Sequence, residues 1–321
     1  MTDQAKSNLR GAALALAAFA LFATHDVLVK ALGGHYAPFQ IIFFSVLMSF
    51  PWVTFMLIGD TAKGTLRPVH PWWTALRTFC ILITASSAFY AFSSIPLAQV
   101  YAILFAAPLL ITVLSIPILG ERVGPHRWGA VIVGLIGVFV VIRPGSAELE
   151  LGHAAAVTAA CFSALASIIV RKIGRDERSA VLMVFPMLAN FVAMGALMPF
   201  VYRPMPVEHL GALALISVLA FAAGLLLISA YKNGDAAIVA PMQYSQIIWA
   251  AIFGWTFFGE TADRVTWIGA GIIIASGLYI VARESFGGRS RTTPVLRTKS
   301  RPATGTSPRT RPLEKMGPND P

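Results

Sequence analysis

Charged residues are scarce in this sequence, at 12% of its 321 residues. Soluble globular proteins carry roughly 25% charged residues, so the chain has too few to cover a water-exposed surface of this size. Hydrophobic residues make up 56%, and the mean hydropathy is +0.70. This imbalance excludes an ordinary soluble enzyme or binding module and predicts an integral membrane protein.

Cysteine is nearly absent as well. The two cysteines, Cys80 and Cys161, each lie inside an apolar run, and neither has a neighbour at metal-ligand or redox spacing. We interpret both as small buried apolar residues. The sequence also lacks a phosphate-binding glycine loop and a nucleophile elbow, so we expect no metal, no cofactor and no ATP hydrolysis.

The apolar residues fall into ten runs, each near the ~20 residues with which a helix crosses a bilayer. Short turns rich in glycine, proline and charge separate the runs. They cover residues 11–33, 38–58, 72–94, 97–119, 127–143, 152–173, 180–202, 209–230, 236–257 and 265–283. The sequence therefore predicts an all-α membrane protein of ten transmembrane helices, preceded by a cytoplasmic N-terminal segment, 1–10.

Lysine and arginine are unevenly divided between alternate loops. With the N-terminus in the cytoplasm, 21 of the 25 fall on the cytoplasmic side, three on the outside and one, Lys30, inside the first span. Cytoplasmic loops of membrane proteins carry an excess of these residues, so we expect both termini in the cytoplasm of a bacterial cell with the protein in its inner membrane. The net charge of +10 is therefore explained by membrane orientation. For this reason we expect no nucleic-acid partner.

The last segment, 284–321, has almost no large apolar residues and is rich in Arg, Thr, Ser and Pro. Such a composition cannot bury enough surface to offset chain entropy, so it predicts a disordered basic cytoplasmic tail. Two interpretations of the tail stay open. It is a solvated segment that reinforces topology, or it binds weakly to anionic lipids of the inner leaflet.

The two halves of the chain resemble each other. Four features of the first half recur in the second at one constant offset, and two near its start recur in similar form at a slightly longer offset. The matched features are Phe92 with Tyr231, Ala98 with Ala237, Gly120-Glu121 with Gly259-Glu260, Trp128 with Trp267, Gly11 with Gly152, and Val29-Lys30 with Val170-Arg171. Each half, 11–143 and 144–283, holds five spans, so the second must enter the membrane in the opposite orientation. Inverted repeats of this kind are typical of secondary transporters, with the substrate site between the halves.

Several short motifs of the first half also resemble an EamA domain. They are Leu76-Arg77, Phe89-Tyr90-Ala91-Phe92, Pro96-Leu97-Ala98, Ala107-Pro108-Leu109 and Leu119-Gly120-Glu121-Arg122. The second half is similar to a second, more divergent copy. The resemblance implies the drug/metabolite transporter superfamily, with ten helices as two inverted five-helix repeats. Relatives export amino acids and metabolites or import compounds such as S-adenosylmethionine or riboflavin. His25-Asp26 departs from relatives, which often have apolar, Trp, Gly or Asn residues there.

Three ionisable residues lie in the first span, where such groups are costly and mark candidate functional sites. Asp26 and Lys30 are four residues apart and share a helical face, so one interpretation is a structural ion pair between them. The other assigns Lys30 to a substrate anion and His25 or Asp26 to a coupling proton. His25 should point about 100° away from Asp26.

Polar and aromatic residues of other spans could line the same cavity. The densest group follows Pro241, which is expected to loosen its helix, and its Tyr and Trp rings could stack on a planar ligand. The candidate substrate-binding residues are Tyr90, Gln99, Gln243, Tyr244, Gln246 and Trp249, together with Lys30. The alternative for the hydroxyl and amide groups is interhelical hydrogen bonding. We interpret Glu121 and Glu260 as helix-capping residues that pair with Arg122 or Arg264.

The favoured function is facilitated or ion-coupled transport, by alternating access across the plasma membrane, of a small organic metabolite that is amino-acid-like, S-adenosylmethionine-like or flavin-like. The expected partners are this substrate and membrane lipids, and a homodimer is compatible with the sequence. Two alternative functions belong to other classes of membrane protein. A non-transporting receptor or scaffold would fit the basic tail. An intramembrane lipid-modifying enzyme would need paired catalytic groups, for which His25 with Asp26 is the sole candidate, so we do not expect an enzyme.

Overall fold

The structure, a computed structural model, describes residues 3–58, 66–121, 123–144, 150–174 and 176–286. The regular elements in these ranges are helices, and no strand occurs there. The helices are α1 (Asp3–Gly33), α2 (Pro38–Ile58), α3 (Pro71–Ser94), α4 (Leu97–Leu104), α5 (Ala107–Leu119), α6 (Pro125–Ile142), α7 (Leu151–Ile173), α8 (Ser179–Val201), α9 (Val207–Asn233), α10 (Ala236–Val239), a 3₁₀-helix (Ala240–Tyr244), α11 (Ser245–Phe258) and α12 (Arg264–Phe286). The segment 287–321 lies outside the described residues, so the disordered tail stays a prediction.

Nine helical segments of the described chain are long and apolar enough to cross a membrane, and one of them is α4 and α5 together. The predicted ninth span, 236–257, is divided among α10, the 3₁₀-helix and α11, each of which is too short alone. The three pieces nevertheless follow one another without a loop from Ala236 to Phe258. The all-helical membrane fold is therefore confirmed, and ten passes are compatible with it.

Proline and glycine set many of the helix ends. Proline is the first residue of α2, α3 and α6, where its missing N–H is not needed and its fixed φ suits the first turn. The helices α5 and α11 both end at a glycine with a left-handed backbone, Gly120 at φ 68° and Gly259 at φ 65°. Glycine favours this conformation because it has no Cβ. These two glycines are equivalent in the two repeats.

The two repeats interlock. Under the repeat, α1 corresponds to α7, α3 to α9, and the α4–α5 segment to the α10–α11 segment. The first helix of each repeat packs along the third pass of the other, α1 on α9 and α7 on α3. The last helices of the repeats, α6 and α12, pack on each other, as do α2 and α8. The two-repeat architecture predicted from the sequence is thus present, and the middle of the bundle is a junction between repeats.

The main hydrophobic cluster lies at this junction and draws on both repeats. It includes residues of α1, α3, α4, α7 and α11. Of the two cysteines, Cys80 is buried as expected, whereas Cys161 is exposed on α7. The expectation for Cys161 was wrong because an apolar face in a membrane protein need not face other helices. It can face lipid instead.

Candidate functional site

Both interrupted passes break at equivalent positions. The α4–α5 segment is interrupted at Phe105 and Ala106, and the second segment at the 3₁₀-helix that ends with Tyr244. Phe105 and Tyr244 are equivalent, because the offset between them is the one that relates Gly120 to Gly259. Their rings meet edge to face, with centroids 5.0 Å apart and planes at 80°. Tightened turns inside helices often mark functional hinges, and discontinuous helices form the substrate sites of many inverted-repeat transporters.

A chain of polar side chains lies beside this junction. Gln246 Nε2 donates to the Tyr101 hydroxyl at 3.4 Å, and that hydroxyl donates to Asp26 Oδ2. Asp26 Oδ1 lies 2.7 Å from His25 Nδ1. All four residues are at most 2% exposed, and they come from α1, α4 and α11. The junction therefore combines two aromatic rings with a buried, hydrogen-bonded carboxylate.

The expectation that His25 and Asp26 point apart was wrong. Their side-chain atoms are in hydrogen-bond contact, although neighbours on a helix ordinarily do not face each other. The contact forms because Nδ1 lies near the imidazole's attachment point, so the ring can turn along the helix surface toward Asp26. The Phe89 ring packs edge-on against the imidazole, with centroids 6.3 Å apart. The contact thus places an imidazole and a carboxylate side by side at the junction.

Of the two interpretations of Lys30, the structural ion pair with Asp26 is wrong. Lys30 Nζ lies 2.7 Å from Glu260 Oε1 and donates to the carbonyl oxygens of Ile95, at 2.8 Å, and Phe92, at 3.3 Å. Spacing along α1 permitted a contact with Asp26, but tertiary packing brings a carboxylate and two carbonyls closer to the ammonium. Lys30 therefore lies at the end of the bundle rather than in the central polar chain.

Glu121 and Glu260 pair differently from the expectation. Glu121 forms a two-contact ion pair with Arg171 of α7, and Glu260 pairs with Lys30 of α1. Within the described ranges neither carboxylate pairs with Arg264, and Arg122 lies outside those ranges. Each partner is on the first helix of the other repeat, since the interlocked packing brings that helix end beside the Gly-Glu turn.

The candidate substrate residues separate into two groups. Tyr244 and Gln246 lie at the junction, and the Tyr244 hydroxyl end abuts Gly277. Tyr90 is 39% exposed on α3, and Gln99 Oε1 contacts His153 Nε2 at 3.0 Å near the start of α7. Trp249 stacks on Phe253, with centroids 5.7 Å apart, and Gln243 is partly buried in the 3₁₀-helix. None of these last four residues has a described hydrogen bond or ring contact to the His25–Gln246 chain.

Two residues that make contacts here were not among the candidate site residues selected from the sequence. Tyr101 links the first repeat's carboxylate to the second repeat's Gln246, and Glu260 holds Lys30. The repeat offsets contained a signal for the second. Lys30 and Arg171 are equivalent, as are Glu121 and Glu260, so an inverted repeat places each basic residue near the other half's glutamate. No group of three His, Cys, Asp or Glu residues in the described ranges could hold a metal ion.

Comparison with known proteins gives one family match and several named relatives. The model of the EamA-like transporter family matches residues 9–143 and again 150–282. An S-adenosylmethionine uptake transporter of Rickettsia prowazekii is 28% identical over 293 residues, covering 88% of this chain and 96% of that protein. A riboflavin transporter of Rhizobium johnstonii is 26% identical, covering 75% and 78%. A pseudopaline exporter of Pseudomonas aeruginosa is 24% identical, covering 86% and 97%.

A solved crystal structure shares the fold. It superposes with a TM-score of 0.57 at 18% sequence identity, covering 87% of this chain and 96% of that chain. At this identity the likeness concerns the arrangement of helices alone. It supports the interlocked bundle described above.

Proposed function

Since this chain belongs to the EamA-like transporter family, we propose that it is a secondary transporter or facilitator that moves a small organic metabolite by alternating access. The observation that carries the proposal is the buried polar chain from His25 through Asp26 and Tyr101 to Gln246, beside the two interrupted passes. A charge inside a membrane bundle is costly and is a functional candidate by default. A passive scaffold gives no reason for such a group at the junction of its repeats.

The proposed substrate is a compound with a planar ring and polar groups, of the amino-acid-like, S-adenosylmethionine-like or flavin-like class. Phe105 and Tyr244 supply aromatic faces at the junction, and aromatic rings pack well against planar ligands. Gln246 and Tyr101 supply hydrogen-bonding groups next to them. The names of two relatives, which contain S-adenosylmethionine and riboflavin, support the last two of these classes.

Asp26 and His25 are the proposed coupling pair. The Asp26 carboxylate accepts a hydrogen bond from Tyr101 and contacts the imidazole of His25. A proton gained or lost by this pair therefore changes the strength of the hydrogen bond from Tyr101, whose hydroxyl also binds Gln246. Substrate binding at Gln246 and protonation at His25 would then influence each other through a continuous set of hydrogen bonds. Lys30, by contrast, is assigned to the end of the bundle, because Glu260 and two carbonyls already surround its ammonium.

The proposed location is a bacterial inner membrane with both termini in the cytoplasm, on the strength of the lysine and arginine distribution. Two exposed residues at opposite ends of α9 provide a matched test, Val207 and Lys232. In a variant without Cys80 and Cys161, a membrane-impermeant thiol reagent added to whole cells should label Val207→Cys and spare Lys232→Cys. The opposite pattern would reverse the orientation.

A ligand screen by thermal unfolding of the purified protein tests the function directly. S-adenosylmethionine, riboflavin and a panel of amino acids are the probes, because a ligand at 100 times its Kd raises stability by about 2.7 kcal/mol. We expect one class to raise the Tm, and Gln246→Ala and Tyr101→Phe to reduce that rise. The control is Asn190→Ala, since Asn190 is equally buried but bonds to Pro186 within α8.

Two results would contradict the proposal. If the Tm rise is the same in Gln246→Ala, Tyr101→Phe and the parent protein, the ligand binds elsewhere. If a probe binds but is not moved across proteoliposome membranes by the same preparation, the receptor alternative is favoured over the transporter.

A further inference from the structure

The Gly-Glu turns of the two repeats have the same local structure. Gly120 and Gly259 adopt left-handed conformations, and the next residue closes the helix end in both. The Glu121 N–H bonds to the Ser115 carbonyl, and the Glu260 N–H bonds to the Gly254 carbonyl. Donor and acceptor residues of the two bonds are equivalent under the repeat. The backbone of the turn therefore holds Glu121 and Glu260 in equivalent positions at the ends of α5 and α11.

Each carboxylate is held by a basic residue in the last turn of the first helix of the other repeat. We name the Lys30–Glu260 pair the α1 latch and the Arg171–Glu121 pair the α7 latch. Lys30 and Arg171 are themselves equivalent, since the offset between them is the one that relates Gly11 to Gly152. Each latch therefore joins the two repeats, and the inverted symmetry converts one latch into the other.

The latches lie at opposite ends of the bundle. The chain crosses once per pass, so the ends of α1 and α11 share one face, and the ends of α5 and α7 share the other. Asp26 of the central polar chain lies about one helical turn before Lys30 on α1. A latch thus closes each end of the junction, and both latches are formed in this structure.

The latches differ in how many elements they hold. In the α1 latch, Lys30 also binds the Phe92 and Ile95 carbonyls, and Glu260 Oε2 accepts the Leu97 N–H at 3.1 Å. It therefore connects α1 and α11 to the turn between α3 and α4. The α7 latch is supported by Lys172, which donates to the Ile118 carbonyl at 3.0 Å. The basic and acidic side chains are 10% and 21% exposed in the α1 latch and 10% and 9% exposed in the α7 latch.

We propose that the two latches open alternately during transport, so that one face of the central site is released while the other latch stays closed. This inference rests on the proposed alternating-access function. A partly buried ion pair is close to energetic balance, because the attraction between the charges is offset by their lost hydration. Opening a face rehydrates both charges, so a latch can break there without leaving a buried charge unpaired. Because an ion pair closes each end, opening either face breaks the same kind of interaction.

Accessibility of a thiol at the junction tests this inference without any substrate. Ala106 lies at the interruption between α4 and α5 and is 4% exposed, so Ala106→Cys in a Cys80→Ala, Cys161→Ala background reports opening of either face. A membrane-impermeant thiosulfonate is added to whole cells or to inverted vesicles. The matched variants are Glu260→Gln and Glu121→Gln, which make the same change at equivalent positions.

We expect Glu260→Gln to raise the labelling rate about fivefold or more from one side only, and Glu121→Gln to do so from the other side only. Asp263→Asn is the control, since it weakens the Arg143–Asp263 pair on the same face as Glu260 without touching α1. It should leave both rates within about twofold of the parent. If a glutamine variant does not fold, Lys30→Gln and Arg171→Gln test the same latches from their basic ends.

Unchanged rates in both glutamine variants, or a rise on the same side in both, would overturn the inference. A rise for Glu260→Gln from the side opposite to the one that labels Val207→Cys would also overturn it, because Val207 and the α1 latch lie on the same face of the bundle. The two glutamine variants could raise labelling from opposite sides in a protein that transports none of the probe compounds. That result would support alternate opening of the latches and contradict the transport proposal.

Discussion

The first helices of the two repeats, α1 and α7, are alike at their ends and different in their middles. Each has a basic residue in its last turn that pairs with the other repeat's Gly-Glu turn. Where α1 carries His25 and Asp26, however, α7 carries Ala166 and Ser167 at the equivalent positions. All four residues are buried. The two helices are therefore alike where they pair with the other repeat, whereas of their two middles only that of α1 carries ionisable side chains.

The largest effect on transport is expected from changes at Asp26 of α1 and its equivalent in α7, Ser167. We expect Asp26→Asn to lower the transport rate roughly tenfold to a hundredfold, because a charge-assisted hydrogen bond contributes about 1.5–3 kcal/mol. The equivalent change in α7, Ser167→Ala, should leave the rate within about twofold. The double variant Asp26→Ser, Ser167→Asp should not transport, since Tyr101 bonds to position 26. Restored transport in it would show that the two helices are interchangeable.

Removing the acidic residue of each latch should lower the unfolding free energy by different amounts at the two ends of the bundle. Glu121→Leu leaves Arg171 nearly buried without its partner and should cost about 3 kcal/mol of unfolding free energy. Glu260→Leu should cost about 1–2 kcal/mol, because Lys30 keeps its bonds to the Phe92 and Ile95 carbonyls. Thermal unfolding in detergent compares them. The double variant Glu121→Leu, Arg171→Leu should recover most of the loss, and a larger cost for Glu260→Leu would contradict the ranking.

A smaller effect is expected at the aromatic junction, where Phe105 and Tyr244 are equivalent but differ by one hydroxyl. A methyl group at Gly277 would collide with that hydroxyl, so Gly277→Ala should destabilise by about 1–3 kcal/mol. Adding Tyr244→Phe to Gly277→Ala should recover part of the loss in Tm, since the nearest clashing atom is removed. An equal Tm in the single and double Gly277 variants would show that the ring moves aside freely.

The smallest effect is expected at candidates that lie away from the junction. Tyr90 is exposed on α3, and its backbone carbonyl, which accepts from Ser93 and Ser94, is kept in any substitution. Tyr90→Ala should therefore change the unfolding free energy by less than about 0.5 kcal/mol and leave ligand-induced Tm shifts unaltered. Loss of the ligand shift in this variant would extend the site toward α3.

The fold was largely readable from the sequence, because membrane helices can be recognised by the length of their apolar runs. The site was readable in part. Asp26, His25 and Gln246 stood out as polar groups in apolar spans, whereas Tyr101 did not stand out from other membrane tyrosines. Local spacing favoured Lys30 with Asp26, and tertiary packing favoured Glu260. Choice among partners depends on which helix ends meet, and that follows from the interlocking of the repeats rather than from any one helix.

Uptake into proteoliposomes tests the central claim, that this chain transports a metabolite through the α1 polar site. The probe is the radiolabelled compound that gives the largest Tm rise among S-adenosylmethionine, riboflavin and the amino acids. Counterflow is measured for the parent protein, Asp26→Asn, Ser167→Ala and protein-free liposomes. The account predicts uptake well above the protein-free level for the parent and Ser167→Ala, and little above it for Asp26→Asn. Equal uptake by Asp26→Asn and the parent, or parent uptake at the protein-free level, would contradict it.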